Sequence, residues 1–436
     1  MAGIKASQSR VSEINRSHML RVLYRGGIKS RAQIAQELGL TPAAVSKISA
    51  RLIDAHAIEE TSDIRGKGNR RSIGLRIPAE RFHVIGVKFA RTIVQIGVFD
   101  LNGTALAIDE LPPVTDGRIA DVVSDVRSRL ARIIDADPDV VAVGMAVPGP
   151  YLRTVGRTAL VSSMHGWRRV NFLHEFGTAF RVPVYVEQDA RAGVLAESLF
   201  SRQDDDARAL RSDGAARPTA QSTAQPTAQS TAEAAEGSKP STLAYYLLGE
   251  GIGLGVIDHG MLINGELGAA TEIGHVSIDV NGRTCDCGNV GCLERYCSAT
   301  AIRHDLLEDP DAPHIAGVED MTPAQAANAL FKAASDGDQA AVHMVARVGR
   351  YVGYGCVTII NAFNPGRIVL GDIVAGGGET LLAAVQSVVD ERVIPQIADA
   401  TSIELSSLPT DSAISGAAAV AVNQFLDNPS LFLDLK

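Results

Sequence analysis

Residues 272–294 read Glu272-Ile273-Gly274-His275, nine residues, then Cys285-Asp286-Cys287-Gly288-Asn289-Val290-Gly291-Cys292-Leu293-Glu294. One imidazole and three thiols lie bracketed by two carboxylates. Zn²⁺ explains this spacing, because structural zinc takes four thiolate or imidazole ligands tetrahedrally. His275, Cys285, Cys287 and Cys292 supply all four, which predicts a structural zinc site. Gly288 and Gly291 give the knuckle backbone freedom that a side chain would obstruct. A disulfide pair and three unrelated thiols are the competing readings. No secretory signal is visible in the polar, mixed-charge first residues, which predicts a cytoplasmic protein in which disulfides are rare. Cys297 and Cys356 fall outside the array and read as buried thiols.

Working outward, the net charge of −9 is unevenly spread. Residues 1–76 carry 14 Lys and Arg against 6 Asp and Glu, so this segment is +8 and the remainder −17. A basic head on an acidic body predicts nucleic acid at one end only. No apolar run approaches the roughly 18 residues a membrane span needs.

Apolar Met19, Leu20 and Leu23 recur at helical spacing and stop at Gly26-Gly27. Ser30 caps a second predicted helix, Arg31–Leu38, which Gly39 ends. Thr41 caps a third, with Pro42 at its first position and Val45, Ile48, Leu52 and Ile53 on one face. This order resembles a helix-turn-helix, whose last helix enters the major groove. Thr41, Ala43, Ala44, Ser46, Lys47 and Arg51 are the predicted DNA-facing residues. Two short strands, 57–60 and 72–76, flank the basic hairpin Arg65-Gly66-Lys67-Gly68-Asn69-Arg70-Arg71. They resemble the wing of a winged helix, with Lys67, Arg70 and Arg71 toward phosphate or minor groove. A small helical dimerisation bundle is the alternative for this segment.

Beyond Phe82, strands alternate with helices: 84–89, 93–99 and 104–111 as strands, 121–134 as a helix, 140–147 and 182–186 as strands. Such an order predicts an α/β fold. Residues 201–240 contain a period-four polar tract with few large apolar groups, expected to be a disordered insertion, a neutral loop expansion rather than a tether. Residues 324–355 read as largely helical.

Together, E-x-G-H and C-x-C-G-x-x-G-C-x-E resemble the signature of the ROK family of sugar kinases and sugar-responsive repressors. The resemblance implies a winged helix-turn-helix at 1–78 and a two-lobed actin-like, hexokinase-like (ASKHA) body. Its lobes would be 79–200 and 241–436, with a cleft between them and the C-terminal helix packed on the first. It also implies that Glu272, His275 and Glu294 hydrogen-bond sugar hydroxyls, the histidine binding zinc as well. Glu187-Gln188-Asp189-Ala190-Arg191 stands where the family has E-N-D-A-N, so Gln188 and Asp189 are further sugar ligands and Asp189 occupies the kinase base position. Gly149 and Asn171 match turns bordering the family's pocket, where a structural role competes. The kinase phosphate turn D-x-G-G-T is replaced by Lys88-Phe89-Ala90-Arg91-Thr92, and Gly371-Asp372-Ile373 stands where a glycine run is expected. Gly249, Gly251, Gly253 and Gly255 match the hairpin opening the second lobe.

The expectation is therefore a non-enzymatic, sugar-responsive transcriptional regulator, a repressor of carbohydrate uptake or catabolism genes. It would bind operator DNA as a homodimer or homotetramer. The alternative is an ATP-dependent, glucokinase-like sugar kinase that has acquired a DNA-binding head.

Overall fold

The computed structural model describes residues 8–65, 71–160, 164–201, 241–408 and 412–429. The chain forms two compact units, Met1–Leu195 with Ala413–Lys436, and Ala196–Ser412.

The first unit begins with α1 (Gln8–Gly26), β1 (Lys29–Ser30), α2 (Arg31–Leu38) and α3 (Pro42–Asp54). Ser30 and Gln33 form a reciprocal capping box on α2, and Gly39 ends it in the left-handed conformation at φ 62°. Thr41 accepts from Ala44 N–H at 3.2 Å and starts α3. These caps satisfy helix-end N–H groups that would otherwise be orphaned. Met19, Leu20, Ile34, Val45 and Leu52 are buried together beneath the three helices. A hairpin of β2 (Glu59–Arg65) and β3 (Arg71–Arg76) follows, and β1 adds to it as a third strand through Lys29↔Leu75. Lys67 and Arg70 lie outside the described residues, as does the side chain of Arg71.

A five-stranded sheet then forms from β4 (His83–Phe89), β5 (Val94–Asp100), β6 (Ala105–Glu110), β7 (Val140–Val147) and β10 (Val184–Gln188), in the order β10-β7-β4-β5-β6. The first three in that order run parallel, and β4, β5 and β6 run antiparallel. One face buries Val87, Val143 and Met145 against α4 (Ile119–Ala136), Trp167 and α5 (Phe172–Phe176). A two-strand ribbon, β8 (Tyr151–Leu152) with β9 (Arg157–Thr158), precedes α5, and α6 (Asp189–Leu199) follows β10.

Across neighbouring strands, Gly86 pairs with both Gly144 and Gly97. A Cβ at Gly144 would fall 1.9 Å from Ala417 O, and one at Gly86 would fall 2.9 Å from Ile414 O. Three glycines in one row thus let the C-terminal helix, Ser412–Asp427, lie directly on the sheet backbone. Its far end meets α1. The Arg21 guanidinium donates to Asp427 Oδ1 at 3.0 and 2.5 Å and to Asn423 Oδ1 at 2.8 Å, while Tyr24 Oη donates to Leu101 O at 2.8 Å.

In the second unit, β11 (Thr242–Leu248) and β12 (Ile252–Asp258) form the glycine-bearing hairpin, with Leu248↔Ile252 in register. With β13 (Met261–Leu262), β14 (Arg367–Gly371) and β15 (Ser402–Leu405) they give the order β13-β12-β11-β14-β15. The region expected to be helical resolves into α9 (Pro323–Ser335) and α10 (Gln339–Phe363), after α7 (Glu294–Cys297) and α8 (Ala299–Glu308) and before α11 (Gly378–Arg392). These helices share a core with Tyr246, Leu254, Ile368 and Leu370. No helix among the described residues is long and apolar enough to cross a membrane.

Candidate metal centre and its carboxylate rim

The clip in the second unit is built by its own backbone. Cys285 N–H donates to Asn289 O at 2.9 Å, Gly288 N–H to Cys285 O at 3.0 Å, and Ile278 N–H to Gly291 O at 2.9 Å. Gly288 and Gly291 sit at φ 90° and 73°, a region closed to most side chains. His275 arrives from a single turn, Ile273–His275, and Asn289 Nδ2 donates to its carbonyl at 3.2 Å.

These turns gather the four sequence-predicted ligands, whose donor atoms all lie within 4.8 Å of one another. Cys287 Sγ and Cys292 Sγ are 3.6 Å apart, and Cys285 Sγ is 3.8 Å from His275 Nδ1. Two sulfurs each about 2.3 Å from one ion at a tetrahedral angle stand roughly 3.8 Å apart, so the donor set fits zinc. Burial, followed by the neighbouring Glu294 carboxylate, pushes the Cys285 thiol up, and burial raises Cys292 as well. A divalent cation supplies the positive charge that lets such thiols ionise.

Glu294 is the carboxylate that the structure sets against the cluster, and Glu272 borders it through its backbone. Glu272 precedes the turn that carries His275, and His275 N–H donates to Glu272 O at 3.2 Å. Glu294 opens α7, with Oε1 3.1 Å from Cys285 Sγ and 3.6 Å from His275 Nδ1. Because Nδ1 faces the thiols, Nε2 remains for a hydrogen bond outside the metal set. Thr271, just before Glu272, is held at φ 68°, with Oγ1 donating to Leu254 O at 2.5 Å. A β-branched residue in this region is strained by about 1–3 kcal/mol, a cost that concentrates at functional sites.

Sequence reasoning missed the anchor of the clip. Arg283 lies over the Tyr296 ring, 5.0 Å from its centroid, donates to Arg295 O at 2.9 Å and pairs with Asp305 at 2.7 Å. Asp305 is also 3.7 Å from Arg347, which pairs with Asp309 at 2.6 Å. The backbone N–H of Asp311, and then Arg347, hold the Asp309 carboxyl below its ordinary value. No local motif signals this network, since its ion pairs join residues 22 to 42 positions apart in the chain. Replacing Asp305 with Ala leaves two guanidiniums facing each other. We expect a loss of about 2 kcal/mol in urea unfolding, less than for a fully buried pair because both arginines are about a third exposed. An unchanged midpoint would reduce the network to a surface decoration.

The remaining candidates belong to the first unit. Asp189 begins α6, and its Oδ1 accepts from Ala190 N–H at 2.7 Å. Gln188 is buried at the end of β10, and a Cβ at Gly149 would fall 2.0 Å from its Nε2, so the pair packs without space between. Glu187 accepts from Gln188 N–H at 2.9 Å and from the fully buried Arg191 Nε at 2.7 Å, and it also contacts Arg153. Glu187 thus satisfies Arg191 Nε, while the two terminal nitrogens of Arg191 are buried with no hydrogen-bond partner among the described residues. Asn171 is committed to local structure, accepting from His174 N–H at 3.0 Å and donating to Val155 O at 3.2 Å. In the turn after β4, Ala90 N–H closes onto Ile93 O at 2.8 Å and Arg91 O accepts from Trp167 Nε1 at 3.0 Å.

On α3, Thr41, Ala43, Ser46, Lys47 and Arg51 are exposed and Ala44 is half-buried, whereas Val45, Ile48 and Leu52 are buried. The predicted polar face therefore points to solvent.

Comparison with known proteins places these features. The pattern of the ROK family matches residues 84–210 and 218–424. The DNA-binding transcriptional dual regulator NagC of Escherichia coli (strain K12) is 27% identical over 418 residues, covering 94% of this chain and 93% of that protein. A glucokinase from Thermotoga maritima is 28% identical over 343 residues, covering 78% of this chain and 97% of its own. Among solved structures, a ROK family transcriptional regulator described as a homolog of the E. coli MLC protein superposes with a TM-score of 0.74. It is 24% identical and covers 98% of this chain and 99% of its own.

Proposed function

The chain belongs to the ROK family, and from that premise we propose that it is a sugar-responsive, DNA-binding transcriptional regulator. It represses carbohydrate uptake or catabolism genes and senses a sugar without phosphorylating it. One observation carries the reading: an exposed basic face on a capped helix shares a chain with a thiol and imidazole cluster that has the Glu294 carboxylate beside it. NagC is named as a DNA-binding regulator and matches nearly the whole chain, which supports the same reading.

Glu272, Glu294 and His275 Nε2 take sugar hydroxyls, since carboxylates accept such hydrogen bonds strongly and in fixed directions. Zinc, held by His275, Cys285, Cys287 and Cys292, fixes the imidazole's tautomer and orientation. Gln188 and Asp189 are further sugar ligands, and Gly149 seats Gln188. Asn171 serves the turn beside them. Phosphoryl transfer needs cradled phosphates as well as a base. Lys88 and the self-closed Ala90 turn supply no such cradle, which argues for a sensor. An ATP-dependent phosphorylation assay over a sugar panel separates the readings: turnover abolished by Asp189→Asn would restore the kinase.

In the head, Lys47 and Arg51 contact the operator's phosphates or base edges, with Thr41, Ala43, Ala44 and Ser46 along the groove and Lys67, Arg70 and Arg71 on the hairpin. A homodimer places two such heads on two half-sites. Arg21 and Tyr24 tie α1 to the C-terminal helix and to Leu101, so the head follows that unit's body. A sugar alters DNA affinity only by binding the competent and incompetent states differently. The double variant Lys47→Ala, Arg51→Ala is expected to weaken operator binding about a hundredfold and to lower the slope of log affinity against log salt by about 2. Fluorescence anisotropy across a salt series measures both, and an unchanged slope would remove α3 from the interface.

A further inference from the structure

The chain has five cysteines, of which four are buried and Cys287 is exposed. The exposed sulfur has a close neighbour: Cys292 Sγ lies 3.6 Å away. Cys285 Sγ is turned elsewhere, 3.1 Å from a Glu294 carboxylate oxygen and 3.8 Å from His275 Nδ1. The clip thus sets one thiol that solvent reaches against one that it does not.

The backbone beside these two thiols differs in freedom. Gly288, directly after Cys287, sits at φ 90°, and a Cβ built there would meet nothing within 4 Å. Gly291, directly before Cys292, is packed: a Cβ there would fall 1.7 Å from Asp279 O, and its N–H donates to Arg283 O at 2.7 Å. Cys292 is therefore fixed in the wall, while Cys287 stands at the open end of the short loop between them. Closing 3.6 Å to a sulfur–sulfur bond of about 2.05 Å asks Cys287 Sγ to move by roughly 1.5 Å, a shift an exposed side chain can make.

We infer that Cys287 and Cys292 form a peroxide-oxidisable thiol pair, and that their disulfide disarms the four-ligand group of which they supply half. The Cys287 thiolate attacks one oxygen of hydrogen peroxide, the O–O bond breaks and hydroxide leaves, so Cys287 becomes a sulfenic acid. The Cys292 thiolate then attacks that sulfur, the S–S bond forms and a second hydroxide leaves. Two thiolates have given two electrons to the peroxide, and both hydroxides take protons from solvent to become water. A disulfide offers no thiolate ligands, so His275 and Cys285 alone cannot complete a tetrahedral zinc site. Cys285 stays out of the exchange because it is buried against Glu294, and a bridge from it to Cys287 would have to close across a single residue. One consequence, loss of sugar response once His275 is no longer held, rests on the function proposed above; the pairing itself does not.

The test uses the full-length protein, whose metal content is measured first. Hydrogen peroxide is added, remaining thiols are alkylated in denaturant, and the peptides are mapped by mass spectrometry while a chromogenic chelator reads released zinc. We expect a bridge between Cys287 and Cys292, about 2 Da lighter than the dithiol, with Cys285, Cys297 and Cys356 alkylated. One zinc should leave per bridge, and added zinc should bind the reduced chain and not the bridged one. Dithiothreitol should reverse the change. In the reduced native protein Cys287 should react with iodoacetamide at least about tenfold faster than any other thiol, an order set by exposure. Cys287→Ser should form no bridge, and the wild-type peptide map decides the matter even if that variant fails to fold. No bridge, a bridge through Cys285, or zinc bound by the bridged chain would overturn the inference. Sugar response that persists in bridged protein would instead refute the role proposed for His275, since the bridge is read by mass alone.

Discussion

A Cys287→Ser or Cys292→Ser variant is expected to lose its bound metal and to melt at least about 8–16 °C lower in its second unit, the shift that about 4 kcal/mol produces in a domain of roughly 200 residues. The magnitude follows from what is left behind. The fold gathers three thiols and an imidazole within 4.8 Å, and two of the thiols are buried and raised in pKa. Without a cation they hold protons and pack as small polar groups. Backbone at φ 90° and 73° then has no ion to hold it. On the proposed function, sugar response should fall with stability, because His275 is both a candidate metal ligand and a proposed sugar ligand. Cys297→Ala is the control: it is as buried as Cys292 but outside the donor set, so it should cost packing energy while leaving metal content unchanged. Full metal content and an unshifted melt in Cys287→Ser would end the structural role.

The second large effect concerns Gly144. A methyl group there would lie 1.9 Å from the carbonyl oxygen of Ala417, backbone against backbone, so no side-chain rotation relieves it. Gly144→Val should therefore lift the C-terminal helix from the sheet and destabilise the first unit by about 3 kcal/mol or more, beyond the usual range of overpacking that side chains can absorb. Arg21 loses Asp427 and Asn423 at the same time, so operator affinity should fall although no DNA-facing residue has changed. Limited proteolysis would show cleavage near the C terminus ahead of global unfolding. Gly117→Ala, where nothing lies within 4 Å, should be near neutral. A Gly144→Val protein with wild-type melting and protease resistance would refute the close-packing account.

Much of this molecule is legible one segment at a time. Ser30, Gly39 and Thr41 mark helix ends because capping is local chemistry, and α2 runs from Arg31 to Leu38 as its caps predict. The His275, Cys285, Cys287 and Cys292 group that could hold a metal is legible for the same reason, its spacing being a property of the clip. Helix lengths are less so: α1 begins at Gln8, well before the apolar spacing that first reveals it. Two-residue β1 escapes periodicity altogether, since it exists only by pairing with Leu75 and Gly74. Contacts between distant segments leave no trace in a single sequence. Gly86, Gly97 and Gly144 look like ordinary strand glycines until the sheet sets them side by side, and nothing near Arg21 points to Asp427, 406 positions later. Glu187 and Arg191 show a subtler loss: an i, i+4 pair is readable on a helix, but here it spans the strand-to-helix junction.

That glycine row also sets an order of events during synthesis. The sheet of the first unit is complete once residue 188 has emerged, but the helix that covers it is made only from residue 412 onward. At about 5–20 residues per second the ribosome needs roughly 10–40 s to cross that interval. Throughout it the sheet's glycine face is bare and the head has no anchor for Arg21. A chain interrupted late in translation therefore yields a complete DNA-reading head with nothing to stand on, so premature stops should behave as simple losses rather than as dominant, permanently bound repressors.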